Sequence, residues 1–323
     1  MPDPTQPERR DLIMSNMDRY RWIREQLSRD KLAGMAARIT GDTFHVVPGS
    51  AATHITYAKS VRRNVYTTID EAYSKVVSGR GDALVIWPGS HTPTASIVAE
   101  KDNVAVYGAE AWMGLKVRKP ASIITAPAAD EAFNITGANM KFVGLTCIPV
   151  TTKSFADFTG AADGLTIKDC YIDLATPAVN IATEGFTGSA AIDNLLVEGN
   201  VAWSDGAQGP AFEITGLNNN AFFTRNHFHV DAGTWASAVN LIDPDGIVVE
   251  NDLATCGGTA MTACYTGSGT TVIAGVVFRN NHKGVLVTLF ADGFGTTSHA
   301  ELVNNYTATI GGGTGSTLIT VIT

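Results

Sequence analysis

Along the second half of the chain, short apolar segments end in a polar pair at a regular interval. Leu165-Thr-Ile-Lys runs into Asp169-Cys170, Leu195-Leu-Val-Glu into Gly199-Asn200, and Phe222-Phe-Thr into Arg225-Asn226. The pattern continues through Ile247-Val-Val-Glu-Asn251-Asp252, Val276-Val-Phe-Arg-Asn280-Asn281 and Glu301-Leu-Val-Asn304-Asn305. With Ile167, Val197, Phe223, Val249, Phe278 and Val303 taken as equivalent, the steps are 30, 26, 26, 29 and 25 residues. Repetition on this scale marks an architecture of stacked units. A second strand precedes the polar-pair strand in each repeat: Ala178–Ala182, Ala211–Thr215, Ala238–Ile242, Thr262–Tyr265 and Leu286–Phe290. Ala211-Phe212-Glu213-Ile214 alternates small or apolar with polar positions, so one set points inward. Two or three short strands separated by turns within about 25 residues make one coil of a β-solenoid. The polar pairs then have a structural reason. Asn and Asp tolerate left-handed backbone angles, and coils stacked about 4.8 Å apart bring their amides into a ladder. Asn200, Asn226, Asn281 and Asn305 are accordingly predicted to be ladder members and not ligands.

The first third reads differently. Residues 1–10 are Pro-rich and polar, and 11–38 are predicted to be helical with Asp11 as the cap. Ile13, Met17, Tyr20, Ile23 and Leu27 form one stripe at helical spacing. That stripe can pack on the chain's own body, seal the solenoid end, or join subunits in a coiled-coil-like contact. A strand follows at Asp42–Val47, then a helix over Tyr66–Ser78, with Thr68 and Glu71 forming a capping box and Gly79 stopping it. Gly81–Trp87 is the next strand, closed by Pro88-Gly89. Further strands are expected at Val104–Tyr107, Ser122–Thr125, Ala132–Thr136 and Met140–Val143.

The segment Thr68-Ile-Asp-Glu-Ala followed by Gly81-Asp-Ala-Leu-Val-Ile-Trp-Pro-Gly-Ser-His-Thr resembles the opening of right-handed parallel β-helix proteins of the pectin-lyase-like kind. By motif the likeness covers residues 64–92. It implies a helix over the open end of the solenoid and a first rung that ends in the Pro-Gly turn. The expected fold is therefore all-β, a single-stranded right-handed parallel β-helix of roughly ten coils, about 45–50 Å long. A short N-terminal α/β cap and an N-terminal helix precede it. Residues 1–40 form an arm and helix for attachment or oligomerisation, 41–92 the cap and first coil, and 93–323 the β-helix with a C-terminal strand at Leu318–Ile322.

Composition narrows the function. Charged residues are 17% of the chain, and the net charge of −8 is unevenly spread. Residues 1–150 carry 18 Lys+Arg against 15 Asp+Glu, or +3, and residues 151–323 carry 5 against 16, or −11. An acidic solenoid repels polyanions, so no nucleic-acid partner is expected. No run approaches the roughly 18 apolar residues of a membrane span, and no secretory signal is read at the N-terminus. Cys147, Cys170, Cys256 and Cys264 contain no CxxC pair and are expected to be reduced and buried.

Candidate chemistry is sparse. A glycosidase needs two carboxylates about 5–9.5 Å apart, and the candidates are Glu184, Asp193, Asp205, Glu213, Asp231, Asp243, Asp245, Glu250 and Asp252. Glu198 and Glu250 hold the same repeat position, where Lys168 and Arg279 stand elsewhere, which suits a solvated outer face. Asp243-Pro-Asp245-Gly reads as a turn. Arg225 and Arg279, the only arginines after residue 150, lack the acidic clustering of a pectate-lyase-type calcium site. His227-Phe-His229 puts two imidazoles on one strand face, without a third ligand at useful spacing. Arg80-Gly-Asp82 falls where a helix-to-strand turn is needed, and Gly311–Ser316 lacks the Lys of a phosphate loop. No catalytic residue, metal ligand or cofactor is assigned.

Few charges, an N-terminal arm and helix, no export signal and a small solenoid together resemble β-helical virion proteins of tailed bacteriophages. That resemblance implies a homotrimer anchored to the particle through its N-terminal segment, with Ile13, Met17, Tyr20, Ile23 and Leu27 as partner-binding residues. The implied partners are other copies of the chain and virion proteins such as the major capsid or tail proteins. The expected function is a non-enzymatic head-decoration or fibre-like component of the virion, assembled in the host cytoplasm. The alternative is a receptor-binding tailspike that binds or depolymerises a host surface polysaccharide, as a hydrolase or lyase. A bacterial carbohydrate-active enzyme or adhesin is a third reading.

Overall fold

The computed structural model describes residues 40–49, 64–150, 153–158, 162–175, 184–189, 192–205, 209–215, 220–242, 246–258, 260–268, 276–284, 286–292, 300–303 and 306–307. The chain divides into two units, Met1–Arg38 and Ile39–Thr323, and the second holds every described residue. The stripe of Ile13, Met17, Tyr20, Ile23 and Leu27 lies outside the described residues, as do Asp243, Asp245, Asn305 and the C-terminal strand.

Strands assemble into three parallel sheets of eleven, nine and eight strands. Each coil passes through the first, second and third sheet in turn. Leu196–Glu198, Val201–Ser204 and Phe212–Thr215 form one such coil. Because each strand of a coil pairs with its equivalent one coil away, neighbours in a sheet are not consecutive in sequence, except at the N-terminal edge, where Thr43–Val46 pairs with Val65–Tyr66. This is a parallel β-helix, and parallel crossovers of this kind wind right-handed. The eight-stranded sheet sets the number of coils carrying all three strands among the described residues, fewer than the ten expected; partial coils extend both ends.

The interior is a stack of apolar rows. In the first sheet Phe44, Leu84, Val106, Phe142, Ile167, Val197, Phe223, Val249 and Phe278 follow one another coil by coil, all buried. By register Phe278 pairs with Leu302, and Val303 pairs with Arg279 instead. The repeat equivalence drawn at Val303 was thus one residue out, a slip that in a strand exchanges the inner for the outer face. Aromatic rings fill the third-sheet side, where Phe158, Phe186 and Phe212 stack with centroids 6.2 and 5.7 Å apart.

The turn between the first and second sheets divides its polar pair into two jobs. The first residue takes the left-handed conformation, at Asp169, Gly199, Arg225, Asn251 and Asn280, with φ from 51° to 68°. The second turns inward. Cys170 N–H donates to Asn200 Oδ1, Asn200 N–H to Asn226 Oδ1, Asn226 N–H to Asp252 Oδ1, and Asp252 N–H to Asn281 Oδ1. All five are buried. Asn200, Asn226 and Asn281 are the expected ladder members, and Asp252 joins them.

Helix α1 (Ile69–Ser74) is shorter than the expected Tyr66–Ser78. Val65–Tyr66 is a strand that pairs with Thr43–Val46, and Asp82 takes the Val77 N–H 2.7 Å away. Thr68 Oγ1 accepts the Glu71 N–H at 3.2 Å, as its capping position requires. Ile69, Ala72 and Tyr73 are buried in the core next to Phe44 and Val46, at the first-coil end. Cys147, Cys170 and Cys264 are buried and Cys256 partly so, all four as free thiols.

Candidate functional site

The third sheet is formed by Ile97–Ala99, Phe133–Ile135, Ala156–Phe158, Phe186–Gly188, Phe212–Thr215, Trp235–Ile242, Met261–Ser268 and Val287–Asp292. In each early strand a central residue sits between two inward apolar neighbours and therefore faces outward. Register places these residues in one row: Val98, Asn134, Asp157, Thr187, Glu213, Asn240, Thr266 and Asp292. Every member after Val98 can accept a hydrogen bond, one per coil, about 4.8 Å apart.

Part of this row is bonded to itself. Asn240 Nδ2 donates to Glu213 Oε2 at 3.3 Å, and the Thr266 hydroxyl lies 3.2 Å from Asn240 Oδ1 and 3.3 Å from the Val239 carbonyl. Asp157 Oδ1 and Thr187 Oγ1, side by side in the row, are shielded from solvent without a hydrogen-bond partner among the described residues. Two further carboxylates flank the row. Glu131 accepts from Ser96 Oγ at 3.1 Å and lies 3.9 Å from Lys153 Nζ. Burial raises the proton affinity of Asp157, and the Glu131 charge raises it further. Burial does the same to Glu184, with a smaller push from Glu213. The face thus carries two carboxyls that hold their protons more tightly, each beside a second acid. Asp157 and Glu213 stand two rungs apart, about 9.6 Å along the stack. That is close to the separation of roughly 6.5–9.5 Å in inverting glycosidases.

No family model matches the chain, and no curated protein does. Solved structures do. Pectin methylesterase in complex with hexasaccharide VII aligns at 11% identity and a TM-score of 0.50, over 83% of this chain and 90% of that one. Pectate lyase Pel9A aligns at 13% identity and a TM-score of 0.44, over 83% and 77%. The enzymatically active domain of tailspike protein 2 from bacteriophage CBA120 aligns at 10% identity and a TM-score of 0.36, over 71% and 39%. What this chain shares with them is the parallel β-helix fold. At these identities the likeness is one of fold.

Within this β-helix the sequence-derived candidates scatter. Glu213 and Glu184 come together on the third sheet. Asp252 is buried in the turn ladder, and Asp193 sits in the preceding-turn stack, its N–H donating to Asp163 Oδ1 at 3.1 Å. Asp205 and Asp231 are exposed at strand ends. Glu198 and Glu250 do share one outer row of the first sheet with Lys168, Thr224 and Arg279. Glu198 is not solvated, however: it is 1% exposed and paired with both Lys168 and Arg225. A carboxylate held by two cations is stable in a buried place where a lone one is not. Asp82 of the Arg80-Gly-Asp82 tripeptide is buried, gripped by the Arg80 guanidinium at 2.6 and 2.7 Å, with Gly81 at φ 80° making the turn. Among the described residues no three His, Cys, Asp or Glu side chains gather in a way that can hold a metal ion, and no helix there is long and apolar enough to cross a membrane.

Asp157, Glu131 and Asn134 were not recognised as candidates. The signal was present, since Phe133-Asn-Ile, Ala156-Asp-Phe and Phe212-Glu-Ile are the same in-out-in triplet. In the coil between, the third-sheet strand is Phe186–Gly188, whereas the expected strand at Ala178–Ala182 lies outside the described residues. With that rung misplaced, the row across Asp157, Thr187 and Glu213 does not emerge.

Proposed function

We propose that the protein is a structural component of a tailed-bacteriophage particle that uses the outer row of its third sheet to bind an extended, hydroxyl-rich polymer, a host surface polysaccharide. The observation that carries the binding reading is the unbroken succession of polar side chains from Asn134 to Asp292, one per coil. A chain of sugars repeats along its length and offers hydroxyls that these carboxylates and amides can bond. Asp157 and Glu213 are each partly exposed on this face and present carboxylate oxygens to which a sugar hydroxyl can donate. In this reading residues 1–40 attach the β-helix to the virion and the assembled form is a homotrimer. The separation of the chain at Arg38 and the apolar stripe before it support that attachment.

The experiment has two arms. Full-length protein and a variant lacking residues 1–38 are mixed with virus particles, and only the former should co-sediment. Host surface polysaccharide is then titrated against native protein and Glu213→Gln. Loss of binding in the variant supports the assignment, and undiminished binding sinks it. Light scattering near 34 kDa, the mass of one chain, would refute the trimer.

A second reading, cleavage of the bound polymer, is favoured by the two acid pairs. With its raised proton affinity Asp157 would protonate the glycosidic oxygen as the bond to it breaks. Glu213 would take a proton from the water that attacks the anomeric carbon from the opposite side. New reducing ends, abolished by Asp157→Asn, are the expected product.

A further inference from the structure

The outer face of the second sheet is a different surface, and its chemistry points to a ligand. Register sets Asp173, Trp203, His229 and Thr255 in one row, with Tyr171, Val201, His227 and Leu253 in the row beside it. Trp203 is partly exposed, and one face of its indole is covered by the His229 ring, centroids 4.1 Å apart and planes tilted by 33°. The other face therefore turns toward the Asp173 coil. His227 Nε2 and His229 Nδ1 each lie 2.7 Å from Thr255 Oγ1. One hydroxyl has one proton, so it donates to one ring and accepts an N–H from the other. Both imidazoles are thereby oriented, one as donor and one as acceptor, and both then carry their proton on the same-named ring nitrogen. Burial lowers the proton affinity of both rings, so they are neutral at pH 7.

A strap crosses toward this face from helix α2 (Ala109–Trp112). Lys116 is tied to Asp169 at 2.8 Å, and Lys119 to Asp173 at 2.9 Å while its ammonium sits 4.6 Å over the Tyr171 ring. These contacts hold the strap in place and consume both lysine charges. Arg118 between them is exposed and has no carboxylate partner among the described residues. It lies near enough to His227, His229 and Tyr171 for its charge to act on all three.

We propose that Trp203, His229 and Arg118 form a subsite for a single carboxylate-bearing sugar unit, with the pyranose ring against the indole and its carboxylate on the guanidinium. A partly exposed aromatic with a few placed polar groups beside it is the common make-up of a small-ligand site. A guanidinium pairs with a carboxylate through two parallel hydrogen bonds. Residues 151–323 carry −11 and repel a run of negative charges. The site therefore selects an isolated acidic sugar within a glycan and not a polyuronate. It is separate from the third-sheet row and does not depend on polymer binding there.

The test uses full-length protein and ligand-observed NMR titrations with sodium glucuronate, N-acetylneuraminic acid and glucose. Saturable binding of either acid, at least tenfold tighter than glucose, is expected, and the pair of acids shows which source the site accepts. Losing a charge-assisted bond costs a factor of about ten or more, so Arg118→Gln should bring the acid down to the glucose level. Trp203→Ala should abolish both, with Trp203→Phe retaining part of the affinity as a control for folding. Glu213→Gln should leave this binding unchanged while removing polymer binding on the third sheet. Equal affinity for glucose and the acids, undiminished binding by Arg118→Gln, or no saturable binding of either acid overturns the proposal.

Discussion

The turn ladder of Cys170, Asn200, Asn226, Asp252 and Asn281 and the outer row from Asn134 to Asp292 obey the same rule, one polar residue per coil, yet they use it in opposite ways. The ladder points inward, where each side chain has its protein partners in place. Asn226 alone bonds Asn200, Asp252 and the Val197 carbonyl. The outer row is only partly bonded to itself, and at Asp157 and Thr187 it leaves oxygen atoms without partners among the described residues. A repeat period therefore says that a position matters in every coil. The direction of the side chain decides whether it matters for stability or for binding.

The largest difference between the two rows should appear on truncation. Asn226→Ala removes an acceptor for the Asn200 N–H and a donor for the Val197 carbonyl, both buried. Each stranded group costs about 1–3 kcal/mol, so a loss of about 3 kcal/mol or more is expected in urea unfolding. Glu213→Ala on the outer row should stay within about 0.5 kcal/mol. Equal losses at the two positions would erase the distinction.

Asp252 gives the next effect, because it is an acid in a ladder of amides. Burial pushes its pKa up to about 7, against the opposing pull of hydrogen bonds from Tyr265, 2.5 Å away, and Asn226. The folded pKa is above the unfolded value, so the stabilising contribution is complete below about pH 4 and is lost as pH rises to about 7. Asp252→Asn should flatten that part of the stability–pH curve, removing a decline of a few kcal/mol. Tyr265→Phe deletes a bond that favours the carboxylate, so the decline should extend to higher pH. Unfolding free energies measured from pH 4 to 8 decide both; a wild-type curve with no fall across that interval would refute the assignment.

This contrast also explains what could be read in the sequence. The coil repeat was legible because first-sheet strands and their left-handed turns recur with β-branched or aromatic residues and with Asn, Asp or Gly, the types each place demands. The slip at Val303 came where Glu301-Leu-Val-Asn304 offers two adjacent apolar residues for one repeat position. Second-sheet strands such as Tyr171–Asp173 and Thr146–Ile148 are three residues long, too short to show a period. The outer row was hidden for another reason. Its members, Asn, Asp, Thr, Glu, Asn, Thr and Asp, share no residue type, and only pairing across coils assembles them.

The smallest effect separates stability from function at one atom. Asp157 has a shielded Oδ1 without a partner among the described residues, and burial raises its proton affinity. Carrying the negative charge therefore destabilises the fold slightly at neutral pH. Asp157→Asn removes the charge with little change of shape, so a small gain in thermal stability is expected at pH 7, shrinking as pH falls and the native carboxyl becomes protonated. The same substitution should weaken polysaccharide binding and abolish any release of reducing ends. A residue that opposes stability yet serves binding is what a site selected for a ligand leaves behind. If Asp157→Asn lowers the melting temperature instead, Asp157 belongs with the inner ladder as a structural residue, and the outer row loses its best-supported ligand contact.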